Sequence, residues 1–236
     1  MTARDDADPE LPAEGDGLPL TAADGHRFRL LVRSPVEPVA ALLWLPALGI
    51  AARHYLPFAE ALAAHGVAVF LHEWRGHGSS DRRAGRDVDW GYRELLTIDL
   101  PASVACIDER FPNLPKIVGG HSLGAQLAAC LLALQPRAAE RLWLVASGSP
   151  FWRVFPRPRA WLLPLTYRFL PWLADRNGSL PGRSIGFGGK EARGVMRDWA
   201  RTGLSGRYAG KGMEIDLEAA LSGAHADVDA VLFADD

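Results

Sequence analysis

Cysteine is scarce in this chain, and so are net charge and long apolar runs. Two cysteines in 236 residues cannot build a disulfide framework. Cys106 and Cys130 both lie in apolar, helix-like stretches, which reads as free buried thiols and suits a reducing cytoplasm. The net charge is −2, so neither a nucleic-acid partner nor an anionic membrane surface is indicated. No uninterrupted apolar run approaches the roughly 20 residues that a membrane-spanning helix needs. The N-terminus lacks the basic region and apolar stretch of a signal peptide. The expectation is a cytoplasmic protein with no membrane partner. There is no internal repeat.

What is present is ordinary globular material. Apolar residues make up 48% of the chain, and the length fits one domain with a sizeable core. Residues 1–17 are acidic, with proline and glycine and almost no large apolar residues. They read as a flexible tail, unable to bury enough surface to offset ordering entropy. The domain is expected over 18–236. From Leu18 to Arg33 the pattern suggests two strands around a turn at Ala23, Asp24 and Gly25. Continuous apolar runs at Val39–Leu45, Val67–Leu71, Lys116–Gly119 and Arg141–Val145 suit strands buried on both faces. Helical spacing covers 54–65, Glu94–Glu109 and Leu123–Leu134, with Pro101 a candidate kink and Gly66 a stop. A final strand is expected over Val228–Phe233. Alternating strands and helices imply right-handed crossovers, hence an α/β fold with a mostly parallel sheet flanked by helices. Residues 148–215 break the rhythm with ten aromatics among Pro, Gly and Arg. They read as an insertion, either held together by those aromatics or forming a lid whose inner face shapes a pocket.

Gly120-His121-Ser122-Leu123-Gly124 fits Gly-x-Ser-x-Gly, between an expected strand and an expected helix. That context is what a nucleophile elbow requires. Strand and helix meet so sharply there that side chains at Gly120 and Gly124 would collide with backbone, while the turn holds Ser122 clear of the sheet. His121 is expected to pack elsewhere. Acyl transfer also needs two backbone N–H groups aimed at the developing oxyanion. Leu123, after the nucleophile, supplies one, and Leu48, in the loop after the first central strand, is the best placed for the other. The segment His72–Ser80 carries two closely spaced glycines and the trio His72, Glu73 and His77. It is not Gly-x-Gly-x-x-Gly, and its histidine spacing has no helical ligand geometry, so neither a nucleotide nor a metal is expected, and no cofactor.

The elbow, the Leu48 loop and the segment Trp74–Ser80 stand in the order and spacing of the α/β-hydrolase superfamily, which the chain resembles over roughly residues 18–236. The third segment is similar to that family's Asp-x-Arg-Gly-x-Gly-x-Ser loop, with Glu73 where Asp is usual. The resemblance looks closest to bacterial α/β-hydrolases with an aromatic insertion. It implies a Ser–acid–His triad in that chain order, with Asp236 as the acid, or Asp235 as second choice. The triad histidine should follow the acid, and nothing follows Asp236 in this sequence. The expectation is therefore a C-terminally shortened chain lacking a last strand, a helix and the base, an account preferred over His225 or His54 serving as the base. On the resemblance the reaction is hydrolysis of a small or medium ester. A non-catalytic binding protein and an acyltransferase stand as alternatives.

Overall fold

The computed structural model describes residues 17–234. The segment read as a tail, up to residue 16, and the candidate acids Asp235 and Asp236 lie outside the described residues.

In chain order the elements are β1 (Gly17–Thr21), β2 (Arg27–Arg33), β3 (Ala40–Leu45), a 3-10 turn (Ala52–Tyr55), α1 (Leu56–Ala63) and β4 (Val67–Leu71). One helical rod follows, made of α2 (Tyr92–Glu94), a π-helical turn (Leu95–Asp99) and α3 (Leu100–Arg110). Then come β5 (Lys116–His121), α4 (Leu123–Leu134), β6 (Arg141–Val145), α5 (Arg159–Asn177), β7 (Leu180–Pro181), α6 (Gly182–Ile185), β8 (Lys190–Glu191), α7 (Arg193–Ser205), α8 (Leu217–Ser222) and β9 (Asp227–Val231). Pro101 has no N–H to give to the turn before it, and the rod absorbs this as the π-helical turn over Leu95–Asp99.

Seven strands form one sheet in the order β1-β2-β4-β3-β5-β6-β9. β1, β2 and β4 are joined antiparallel, and every pairing from β4 through β3, β5 and β6 to β9 is parallel. Side chains alternate across this sheet. Leu42 and Trp44 pack with Val69, Leu71 and Ala59 on the α1 face, whereas Leu43, Leu45, Phe70 and Val118 pack with Leu127 and Leu131 of α4 on the other. Both faces are covered, which is why these strands read as unbroken apolar runs. From β3 the chain crosses to β4 on one side and later returns to β5 on the other. The carboxyl ends of β3 and β5 therefore form a switch point, where open α/β sheets bind ligands.

Residues 148–215, expected as an insertion, are mainly helical. α5 packs on α7 through Leu170, Ala174 and Met196, closed by Leu180. The aromatics of this segment divide. Tyr167 is buried and Phe187 and Trp199 are half-buried, holding the insertion together, but Trp161, Phe169 and Trp172 turn outward and are more than half exposed. Those three line neither an inner face nor the helix pair. Cys106 and Cys130 are free, and burial pushes the Cys130 thiol up to about 12. Among the described residues no helix is long and apolar enough to cross a membrane.

A buried polar knot ties the antiparallel edge to the parallel core. Asp99, on the π-helical turn, accepts from Arg75 through Nε (2.9 Å) and Nη2 (2.6 Å), and its Oδ1 lies 2.9 Å from His26 Nδ1. His26 Nε2 lies 2.8 Å from Ser80 Oγ, and Arg75 Nη1 reaches Asp24 at 2.7 Å. The Ser–His–Asp sequence of contacts through Ser80, His26 and Asp99 resembles a triad in outline, yet all three are buried and it fastens three segments instead. Burial works to raise the Asp99 carboxyl, but His26 and Arg75 hold it below its ordinary value. The Arg75 hydrogen bond brings Asp24 down to about 2. Carboxylates depressed in the folded state stabilise it above their unfolded pKa of about 3.9, and this is lost as pH falls through the folded values. Asp99→Asn should therefore cost about 3 kcal/mol at neutral pH by leaving Arg75 underpaired in a buried site. The fall in melting temperature between pH 5 and pH 2 should be shallower in the variant than in the parent. Parallel pH–melting curves would show that the knot does not carry the acid sensitivity.

Candidate active site

Ser122 occupies the single residue between β5 and α4, at φ 53° and ψ −118°. A positive φ at a non-glycine residue stores strain of about 1–3 kcal/mol and persists only where the surroundings enforce it. Here they do. A Cβ at Gly124 would sit 2.1 Å from the Leu45 carbonyl oxygen and 2.4 Å from that of Pro46, and one at Gly120 would sit 2.5 Å from the Gly124 backbone. The helix thus starts directly against the end of β3. The Ser122 amide donates to Val145 O at 3.0 Å, and its carbonyl accepts from Ser147 Oγ at 2.9 Å. Among the described residues no histidine is hydrogen-bonded to the Ser122 hydroxyl. His121 points to the α1 face, where its Nδ1 lies 2.9 Å from Tyr55 Oη. That hydroxyl also accepts the Ala47 amide at 3.0 Å, so it links the histidine to the loop. His121 is therefore more than a packing residue, because it braces the loop that carries Leu48.

Leu48 and Leu123 line one narrow cavity of about 20 Å³, with Gly49, Leu127, His77 and Glu191. As the first residue of α4, Leu123 has an amide with no partner inside the helix. Among the described residues the Leu48 amide makes no backbone hydrogen bond either. Gly49 is at φ 78°, and a Cβ there would sit 2.1 Å from the Gly189 amide nitrogen. Glycine is required at this point because the hairpin of the insertion leans directly on the Leu48 loop.

The loop after β4 fixes these parts relative to one another. Glu73 is buried, and burial raises its carboxyl above the ordinary value. It accepts the Ala52 amide on Oε1 (3.0 Å) and the Ser79 amide on Oε2 (3.2 Å), clamping the 3-10 turn to the Gly76–Ser79 loop. A Cβ at Gly78 would meet that carboxylate at 1.9 Å. His72 faces Ser103 (2.9 Å), and burial drives its pKa down to about 3. His77 Nε2 lies 3.4 Å from Glu191 Oε2. Burial disfavours the charged imidazole of His77, but the Glu191 carboxylate prevails and its pKa is raised. His72, Glu73 and His77 thus serve three different neighbours. His225 lies before β9, at the amino end of the parallel strands, whereas Ser122 follows the carboxyl end of β5, so the sheet separates them. His54 is exposed on a cavity that also borders Gly49. The pairs His77–Glu191 and Tyr55–His121 were not foreseen. A histidine beside the serine and an isolated Gly-flanked histidine were the only local signals.

Residues 36–187, more than half of the chain, match the model of the family described as serine aminopeptidase, S33, whose fold is that of the α/β-hydrolases. The chain belongs to this family. Among solved structures, the S33 chain is similar to Rv0554 from Mycobacterium tuberculosis, with a TM-score of 0.57, 16% identity, and coverage of 93% of this chain and 81% of that one. It is also similar to a thermophilic esterase from Thermogutta terrifontis, with a TM-score of 0.50, 16% identity, and coverage of 72% and 56%. For DcsB, solved with a substrate analogue, the TM-score is 0.50 at 22% identity, with coverage of 65% and 52%. The S33 chain thus spans about half the length of DcsB and of the esterase. No curated protein matches. At these identities the likeness shows the fold.

If the elbow is as tight as the glycines indicate, Gly124→Ala should destabilise the protein by about 3 kcal/mol, because its methyl group has no room against the Leu45 and Pro46 carbonyls. Urea denaturation measures this, and an unchanged midpoint would mean that strand and helix are not in forced contact.

Proposed function

We propose that this α/β-hydrolase is a serine hydrolase, most simply a carboxylesterase for a small or medium ester, with Ser122 as nucleophile. The observation that carries the reading is the strained backbone of Ser122, held between two glycines that cannot be enlarged. Strain maintained at one hydroxyl residue at the switch point of the sheet is a reason to assign it chemistry. In the proposed reaction the Ser122 oxygen attacks the ester carbonyl carbon while a general base takes its proton. The tetrahedral oxyanion is met by the amides of Leu48 and Leu123. The C–O bond breaks, the alkoxide leaves with the proton, and water releases the acyl group by the same steps in reverse.

Asp236 is proposed as the acid of the triad. It lies outside the described residues, and no histidine follows it in these 236 residues. A second reading, a binding protein on a hydrolase fold, is favoured by one observation: among the described residues no histidine is bonded to Ser122. Acyl transfer to an alcohol would use the same groups. The absence of a membrane-spanning helix among the described residues is compatible with the proposed cytoplasmic location.

A fluorophosphonate probe separates the two main readings. Rapid labelling of the full chain that disappears in Ser122→Ala is the expected outcome for the hydrolase. Without an activating base, the rate should fall by a factor on the order of 10³ or more relative to ordinary serine hydrolases. Folded protein that labels no faster than its Ser122→Ala variant would favour the binding protein.

A further inference from the structure

We propose that the outward face of α5 is a docking surface for an anionic lipid bilayer. The proposal stands apart from the chemistry assigned to Ser122. Its ground is the two-sided character of the helix. α5 buries Ala160, Tyr167, Leu170 and Ala174. At 3.6 residues per turn the opposite side carries Trp161, Leu165, Phe169 and Trp172 in a row, with Leu162 beside them. All five are more than half exposed. A surface helix ordinarily turns polar residues to water, and one that is apolar all round belongs in an interior. α5 has only one of its two apolar sides covered. From Trp161 to Trp172 the row runs roughly 16 Å along the helix. The short 3-10 turn before α5 (Trp152–Val154) contacts the helix, and Val154 and Phe155 there are exposed as well. A contiguous apolar patch on a surface marks a place that meets a partner.

The charges beside the row name the partner. No acid occurs between Glu140 and Asp175. Arg153, Arg157 and Arg168 lie within that stretch and are exposed. Arg157 sits over the Trp161 ring at 5.7 Å, and Arg153 over the Trp152 ring at 5.1 Å. Arg168 donates to the Pro164 carbonyl at 3.0 Å. None of these contacts neutralises a guanidinium, and among the described residues these three arginines form no ion pair. Asp175, at the far end of the helix, is taken up by Arg197.

Tryptophan, phenylalanine and leucine bordered by arginine suit the boundary between lipid headgroups and acyl chains. The rings sink into it while the guanidinium groups stay with the phosphates. A second copy is a poor occupant, since face against face would set arginine against arginine. The net charge of −2 concealed this surface, because it averages over a chain whose acids lie elsewhere. A peripheral contact needs no membrane-spanning helix, and the cytoplasmic leaflet is the anionic one.

Sedimentation of the full chain with lipid vesicles tests this. Binding to phosphatidylcholine vesicles that contain about 30% phosphatidylglycerol should be about tenfold tighter than binding to phosphatidylcholine alone. It should weaken as salt rises from about 50 to about 500 mM. Trp161→Ser combined with Trp172→Ser should lower it about tenfold. Both side chains are exposed, so this variant should melt like the parent. Arg157→Gln combined with Arg168→Gln should bring binding on the anionic vesicles down to the level on neutral ones, and it tests the face without touching an apolar residue. Val36→Ser removes a fully exposed apolar residue ahead of β3, at the amino end of the parallel strands, and should bind like the parent. Folded protein that ignores anionic vesicles overturns the proposal, as does binding that both paired variants retain or that neutral vesicles match. A dimer abolished by the tryptophan pair, without vesicle binding, would overturn it by giving the face to a second copy.

Discussion

The fold turns on one steric fact, the collision course between the end of β3 and the start of α4. The Leu45 and Pro46 carbonyls occupy the space where a side chain at residue 124 would go, and Gly120 meets Gly124 at the same point. Ser122 is left with a left-handed backbone between a strand and a helix that cannot separate. Everything nearby is arranged by that contact. Leu123 becomes the first helical residue, with an amide that has no partner inside the helix, and Leu48 follows the strand that the helix touches.

Around this contact the structure uses buried polar groups as fasteners. Glu73 binds two loops by their amides, and Tyr55 with His121 holds the Ala47–Leu48 backbone from beneath. The Arg75–Asp99–His26 knot joins the antiparallel edge to the helical rod. Each is a site where removing one partner strands a buried charge or donor, so these residues matter through position and not through contact with substrate. The insertion closes the arrangement by laying Gly189 against Gly49, which brings His77, Glu191 and Lys190 to the same rim.

Much of the core was legible in the order of residues because both faces of the parallel strands are covered. Continuous apolar runs at Val67–Leu71 and Arg141–Val145 became strands with those bounds, and Leu123–Leu134 became a helix. The elbow was legible for a different reason: its pattern of two glycines flanking a serine spans five consecutive residues, although the carbonyls that exclude a side chain at Gly124 belong to Leu45 and Pro46. The insertion was harder. Its aromatic composition announced that residues 148–215 differ, but no periodicity separated Tyr167, which is buried, from Trp161 and Trp172, which face solvent.

By itself the sequence determined the alternation of strands and helices, the parallel sheet and the place of the turn at Ser122, since all are marked by local pattern. The tertiary structure alone decided which distant residues meet. His77 and Glu191 stand 114 positions apart, and the cations around the cavity that His54 and Gly49 border come from three segments that share no pattern. Their meeting is set by the crossing of chains at the carboxyl ends of β3 and β5. No residue carries a mark of that crossing, because the charge of Arg53, Arg83 or Lys190 is the same wherever the fold places it.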